Sequence, residues 1–299
     1  MQTKQQIQQL LASAGVSPNK RLGQHFLIDL NLIEKLVDSA HIGSDDVVLE
    51  VGCGTGSLTQ ALAEKAGRVI AVELDELIAK IAVKELAKAE NVEVIKVDVL
   101  ESKHTINRAV RAAIESARQS CTGRFLLVAN LPYSVASPLM MNLVTGDVTA
   151  DGMYVTVQKE VAERMTATPG SDDYGTLSIF MAATGEVKTQ RILRHTVFWP
   201  QPQVDSAMVS FVRNKEKVKQ IRCLELFSEV VHLFMGHRRK MLRACSKLAS
   251  GRLAEISNWS QIFKQSCIDP HNRPEKLSPA DYIAISNLCY EYLSARANL

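Results

Sequence analysis

The first twenty residues are mostly polar, with recurring glutamines, and predict a polar arm that is ordered only in part. From residue 30 to about residue 212 the pattern changes. Short apolar runs alternate with segments whose apolar residues recur at helical spacing. Strands are expected at residues 47–51, 69–72, 92–97, 125–129 and 153–157, with two more near 178–184 and 207–212. Helices are expected between them, at residues 30–40, 57–66, 75–89, 105–120 and 137–144. This alternation predicts βαβ units and a largely parallel sheet. The charged break Asn214-Lys215-Glu216-Lys217 follows the last strand. Beyond it only helical patterns occur, over residues 224–235, 238–249 and 279–295. The expectation is an α/β, Rossmann-like domain over residues 1–214 and a small all-helical domain over residues 215–299.

Polar residues fall at the ends of four of these strands: Gly52, Glu73, Asp98 and Asn130. In a parallel sheet the carboxyl ends of the strands are where ligands bind. The first end reads Glu50-Val51-Gly52-Cys53-Gly54-Thr55-Gly56 and opens a helix. Glycines there let a ligand approach the backbone, and an acid at the end of the next strand, Glu73, suits ribose hydroxyls. The spacing is tighter than Gly-x-Gly-x-x-Gly and follows an acid, which suits S-adenosylmethionine better than a pyrophosphate. A dinucleotide dehydrogenase is the alternative. The fourth end reads Asn130-Leu131-Pro132-Tyr133. The Asn130 amide oxygen, with a backbone carbonyl near Pro132, can accept hydrogen bonds from an exocyclic amine. Tyr133 offers a stacking face, and Pro132 fixes the turn. An ordinary strand exit reads the same way. Asp98 fits a cofactor contact or a cap for the following helix.

At 299 residues, 46% of them apolar and 22% charged, the chain can fill a core and is expected to be soluble. No stretch reaches membrane-spanning length and no signal-peptide core follows Met1, so a cytoplasmic location is expected. The last four of the six cysteines are 22 residues apart, but their neighbours share no pattern and no Cys-x-x-Cys pair exists. Reduced thiols are expected, and no metal. The net charge of +3 is uneven: residues 215–299 hold 14 Lys and Arg against 8 Asp and Glu. A basic tail domain fits a polyanionic partner, or a solubilising surface.

The two turn motifs, in this order, resemble the small-subunit ribosomal RNA adenine dimethyltransferases (the KsgA type). The resemblance runs along nearly the whole chain. It is carried by Lys20-Arg21-Leu22-Gly23-Gln24-His25-Phe26-Leu27, the glycine turn, Val72-Glu73-Leu74-Asp75, Asp98-Val99-Leu100, and Asn130 to Tyr133. Further on are Gln158-Lys159-Glu160-Val161-Ala162-Glu163-Arg164, Tyr174-Gly175, Phe198-Trp199-Pro200-Gln201-Pro202-Gln203-Val204-Asp205-Ser206, Arg238-Arg239-Lys240 and Arg273-Pro274-Glu275. Each is weak alone, and together in order they are specific.

The resemblance implies transfer of methyl groups from S-adenosylmethionine to the N6 amines of two adjacent adenines in small-subunit rRNA. It implies work on an assembling subunit, and a monomer is expected. The segment with His25 and Leu27 would fold over the cofactor, Asp98 would lie beside its adenine amine, and Glu50 would hold the glycine turn or the methionine end. Phe198 would pack on the target base opposite Tyr133. Trp199 is the alternative there, and either ring also suits a core. Arg238, Arg239, Lys240 and Arg243 would meet RNA phosphates, with Arg239 and Arg243 projecting from one helix face; a solvated face is the plainer account. Asp172 and Thr176 stand where the family favours Lys and Arg. Two other activities fit the residues. One is methylation of large-subunit rRNA, as in macrolide resistance, against which the long carboxyl-terminal half argues. The other is an assembly-checking factor whose catalysis is secondary.

Overall fold

The structure, a computed structural model, describes residues 1–19 and 22–297. Lys20 and Arg21 of the basic segment lie outside the described residues. The chain opens with helix α1 (Lys4–Ser13), where the sequence predicts only a partly ordered arm. Thr3 and Gln6 cap it reciprocally, each accepting the backbone N–H of the other. Ile7 and Leu11 bury one face of it in a cluster with Ile78 and Ile81. The glutamine-rich composition masked that stripe.

Strand β1 (Phe26–Leu27), helix α2 (Leu30–Ser39), β2 (Val47–Val51), α3 (Ser57–Ala63), β3 (Arg68–Glu73), α4 (Glu76–Glu85) and β4 (Val92–Lys96) follow. A two-stranded turn of β5 (Leu100–Ser102) and β6 (Thr105–Ile106) delays α5 (Arg108–Ser120), which Asn107 caps. Next come β7 (Phe125–Asn130), α6 (Ala136–Thr145), β8 (Gly152–Gln158), α7 (Lys159–Thr166), α8 (Thr176–Thr184), β9 (Gly185–Leu193), β10 (Phe198–Trp199) and β11 (Ser206–Arg213). Helices α9 (Lys215–Lys219), α10 (Leu224–Met235), α11 (Leu242–Cys245), α12 (Trp259–Gln265) and α13 (Pro279–Ala297) complete the order.

Seven strands form one sheet in the order β4-β3-β2-β7-β8-β11-β9. The five from β4 to β8 are parallel, and β11 runs antiparallel to β8. All of β2 and all of β7 up to Asn130 are buried, which is why both read as unbroken apolar runs. The chain leaves β2 toward β3 and β4, then returns to β7 on the other side. The strand order therefore reverses between β2 and β7, and a crevice opens at their carboxyl ends. Gly52 and Asn130 stand at those two ends.

Two sequence expectations change. Residues 178–184 form the body of α8 and not a strand. Nearly every side chain of α8 is buried, so its apolar run carries no periodicity. The strand β9 comes afterwards and has no apolar signature, because six of its nine residues are exposed and mainly polar. Residues 238–249 hold only the short α11 and a 3-10 turn over Ser246–Leu248. There the backbone N–H groups of Leu242 and Arg243 bond to the carbonyls of Asn272 and Pro270, not to a preceding turn.

The chain divides into two compact units. One comprises Met1–Ala162 and Lys188–Val212, and the other comprises Glu163–Val187 and the residues from Arg213 onward. The break lies close to residue 214, but residues 163–187, expected in the first domain, group with the helical unit. The cause is packing of α8, whose Phe180 ring meets Phe227 of α10 edge-on at 5.5 Å. No described helix is long and apolar enough to cross a membrane.

Candidate active site

A single cavity in the first unit is lined by the residues that the two turn motifs supply. Gly52, Cys53, Gly54 and Thr55 form one wall, Glu73 and Asp98 another, and Asn130 to Val135 a third. Gly52 has φ 77°, and a Cβ there would come 2.8 Å from Cγ of Pro132. Only glycine allows the glycine turn and the Asn-Leu-Pro-Tyr turn to meet. Gly54, with φ 57°, is similarly pressed by Phe26, whose ring carbon would lie 2.9 Å from a Cβ.

The acids differ in setting. Glu73 is buried, and its two carboxylate oxygens each accept a backbone N–H, from Gly54 and Asp75, both at 2.9 Å. Burial pushes its pKa up against those bonds. Each oxygen keeps a further lone pair. Glu50 is 2% exposed, and its Oε2 and the Thr59 hydroxyl are the buried side-chain polar atoms left without a partner among the described residues. Burial above all, with a smaller push from the Glu73 charge, raises the Glu50 carboxyl to about 8 against the lowering effect of the neighbouring Thr59 hydroxyl. The Cys53 thiol is pushed up by burial and then by Glu50 and Glu73, so it stays a neutral packing group and not a nucleophile. Asp98 is exposed at the pocket rim and accepts the Leu100 N–H at 2.9 Å. It caps that local turn, not α5.

Residues 22–27 cover the cavity. Strand β1 is held by β10, with Phe26 opposite Trp199 and Leu27 opposite Phe198. Gln24 donates to Asp75 at 3.1 Å, and His25 Nδ1 donates to the Pro200 carbonyl at 2.6 Å. Helix α1 adds a support that the sequence did not reveal. The Gln2 amide donates to the Thr55 carbonyl at 3.0 Å and accepts the Thr55 hydroxyl at 2.6 Å, while the Gln2 N–H reaches the Ser57 hydroxyl at 2.8 Å. Ile7 lines the cavity. The pattern that could have shown this is Thr3-x-x-Gln6 before Ile7, Leu10 and Leu11.

Asn130 is clamped from two sides. Its Nδ2 donates to the His25 carbonyl at 2.8 Å, and its Oδ1 accepts the Thr156 hydroxyl. The opposite amide orientation would set two carbonyls against each other. Oδ1 therefore has one lone pair left for a ligand. The Leu131 N–H bonds to the Thr156 carbonyl at 3.1 Å, and Leu131 is buried in the cavity wall. The Tyr133 hydroxyl pairs with Ser206 at 2.8 Å, and burial pushes its pKa up. The His25 ring lies beside that of Tyr133, with centroids 5.7 Å apart and planes 32° apart.

Phe198 requires correction. It is 1% exposed and belongs to the core cluster with Leu27, Leu193 and Met208, outside the cavity lining. Alternation along β10 turns Phe198 inward, and Trp199 stacks on Phe26 at 6.1 Å. In the second unit, the expected basic face also changes. Residues 238–240 are not helical, so Arg239 and Arg243 do not share a helix face. Arg238 pairs with Glu275 at 3.3 Å and reaches the Asp172 carbonyl. Arg239, Lys240 and Arg243 are exposed. No cluster of metal-ligating side chains occurs among the described residues.

Comparison with known proteins agrees with this arrangement. A family model described as "Ribosomal RNA adenine dimethylase" matches residues 15–290. The chain is 37% identical over 284 residues to the "Ribosomal RNA small subunit methyltransferase A" of Pelotomaculum thermopropionicum, covering 94% of each. It is 37% identical over 287 residues to the protein of the same description from Bacillus licheniformis, covering 95% of this chain and 96% of that one. In fold it is similar to the crystal structure of a dimethyladenosine transferase from Plasmodium falciparum, with a TM-score of 0.68 at 22% identity over 90% of this chain and 98% of that one. With the match spanning nearly the whole chain and both turn motifs meeting in one cavity, the protein belongs to the ribosomal RNA adenine dimethylase family.

Proposed function

We propose that this protein transfers methyl groups from S-adenosylmethionine to the N6 amines of two adjacent adenines in small-subunit rRNA, twice on each. The observation that carries this reading is the contact of Gly52 with Pro132, which joins a cofactor turn and an amine-gripping turn in one cavity. The relatives of this chain described as small-subunit methyltransferases support the choice of subunit.

The residues fit the cofactor. Glu50 offers a buried carboxyl oxygen with no hydrogen-bond partner among the described residues; protonated while the site is empty, it ionises against the ammonium of the methionine end. Glu73 keeps lone pairs for the ribose hydroxyls, and Asp98 faces the adenine amine. His25 and Leu27 close over the cofactor, and Gly52 lets it lie against the backbone. When bound, S-adenosylmethionine supplies a sulfonium methyl and leaves as a neutral thioether.

The chain's own work is placement. Asn130 Oδ1 accepts one N–H of the adenine amine, and a carbonyl of the Leu131-Pro132 turn accepts the other. The nitrogen lone pair then points at the methyl. The Tyr133 ring holds the base plane, in stacking worth about 1–3 kcal/mol. Arg239, Lys240 and Arg243 meet phosphates of the rRNA. The protein acts as a monomer, in the cytoplasm, on an assembling subunit.

Single-turnover transfer of labelled methyl groups to undermethylated small subunits tests this. Wild-type protein is expected to label adenine N6, and Asn130→Ala to lose most of the rate. Near-normal transfer by Asn130→Ala would overturn the role given to this turn.

A further inference from the structure

Among the described residues, Thr156 is the one side chain hydrogen-bonded to Asn130 Oδ1, and the sequence motifs do not include it. It sits in the middle of β8, directly across the parallel ladder from Asn130. It is 1% exposed, between Val155 and Val157, which are fully buried. Valine would fill such a strand position without a polar atom, and a buried hydroxyl is unfavourable unless it is bonded. Here the hydroxyl donates to Asn130 Oδ1, and the Thr156 carbonyl also receives the Leu131 N–H. One residue thus holds the side chain of Asn130 and the backbone that follows it.

The other end of the amide is held by the His25 carbonyl. That single bond would leave the amide free to swing about it. A second bond, to Thr156, fixes its plane, and with it the direction of the lone pair that Oδ1 still offers. We infer that Thr156 is a positioning residue for methyl transfer: its hydroxyl locks the Asn130 amide so that the free lone pair of Oδ1 meets the adenine amine. This rests on the role proposed for Asn130. Thr156 does not line the cavity, so it acts through Asn130 and not on the cofactor.

The test uses the full-length protein with Thr156→Val, which keeps the shape, and Thr156→Ser, which keeps the hydroxyl. Three quantities are measured: the single-turnover rate on undermethylated small subunits, cofactor affinity by calorimetry, and the melting midpoint. Thr156→Val is expected to slow transfer about 10- to 100-fold, the range that misplacement of a reacting group costs. Its cofactor affinity and melting midpoint are expected to match wild type. Thr156→Ser is expected to recover the rate to within about threefold of wild type, since the same hydroxyl is available. A Thr156→Val rate equal to wild type, or a rate that falls only in step with cofactor affinity and melting midpoint, would overturn the inference. A wild-type protein that leaves small-subunit adenines unmodified would instead overturn the function on which it rests, and the inference with it.

Discussion

Glu50 and Glu73 concentrate the electrostatics of the site in two carboxyl groups. The Glu50 carboxyl is raised from 4.5 to about 8, so the folded protein holds a proton there that the unfolded chain has lost. That contribution to stability is full below about pH 4.5 and is lost as pH rises through about 8. Urea unfolding of the cofactor-free protein should therefore show wild type losing stability from pH 5 to pH 8 more steeply than Glu50→Gln, by up to about 1.4 kcal/mol per pH unit. Parallel curves would contradict the shift. Glu73→Ala would strand the N–H groups of Gly54 and Asp75 as well as the ligand's hydroxyls. Calorimetry should show cofactor affinity falling by about 10- to 100-fold, with a lower melting midpoint; unchanged affinity would remove Glu73 from the site. At Tyr133 the ring is expected to matter more than the hydroxyl. Tyr133→Phe should keep most single-turnover activity despite losing the hydrogen bond to Ser206, whereas Tyr133→Ala should lose most of it. Gly52, Glu73 and Asn130 were legible in sequence because each ends an apolar run, and Asp98 because it ends an alternating one; a strand end is visible in one dimension. Thr156 and Phe198 were not. Both lie in strands, and alternation does not say which buried face reaches a ligand.

Among the elements, α1 carries the least anticipated role. It brings Gln2 to the glycine turn and Ile7 to the cavity wall. Removal of residues 1–14 should weaken cofactor binding about tenfold or more, through loss of those bonds and of the apolar lining, while the far-UV circular dichroism of the core is retained. Equal affinity in the shortened protein would show that α1 merely packs beside the site. The central parallel strands were legible as apolar runs, because a strand covered on both faces has few other ways to be written, whereas their order across the sheet was not. Helix α8 was misread for the same reason: an element buried on every side has no period, and its run of apolar residues suits a strand equally well. The exposed edge strand β9 fails in the opposite sense, since little of it is apolar.

For the whole molecule, net charge indicated the sign of the partner but not the residues that meet it. The excess of Lys and Arg after residue 215 is plain in the composition, yet Arg238 spends its charge on Glu275. The exposed Arg239 and Arg243 remain candidates for phosphate binding. Arg239→Ala with Arg243→Ala should weaken binding to small subunits and flatten its salt dependence by about one unit of slope for each phosphate no longer neutralised, with cofactor affinity unchanged. A salt slope that does not move would place the RNA-binding surface elsewhere. Dimethylation of adjacent adenines in small-subunit rRNA is the activity on which every role above depends. Mass mapping of rRNA from small subunits of cells lacking this gene, before and after incubation with the purified protein and S-adenosylmethionine, checks it without an intermediary. Two neighbouring adenines, unmodified beforehand, are each expected to gain two methyl groups at N6. Adenines that stay unmodified, or methyl groups that appear on another base, would contradict it.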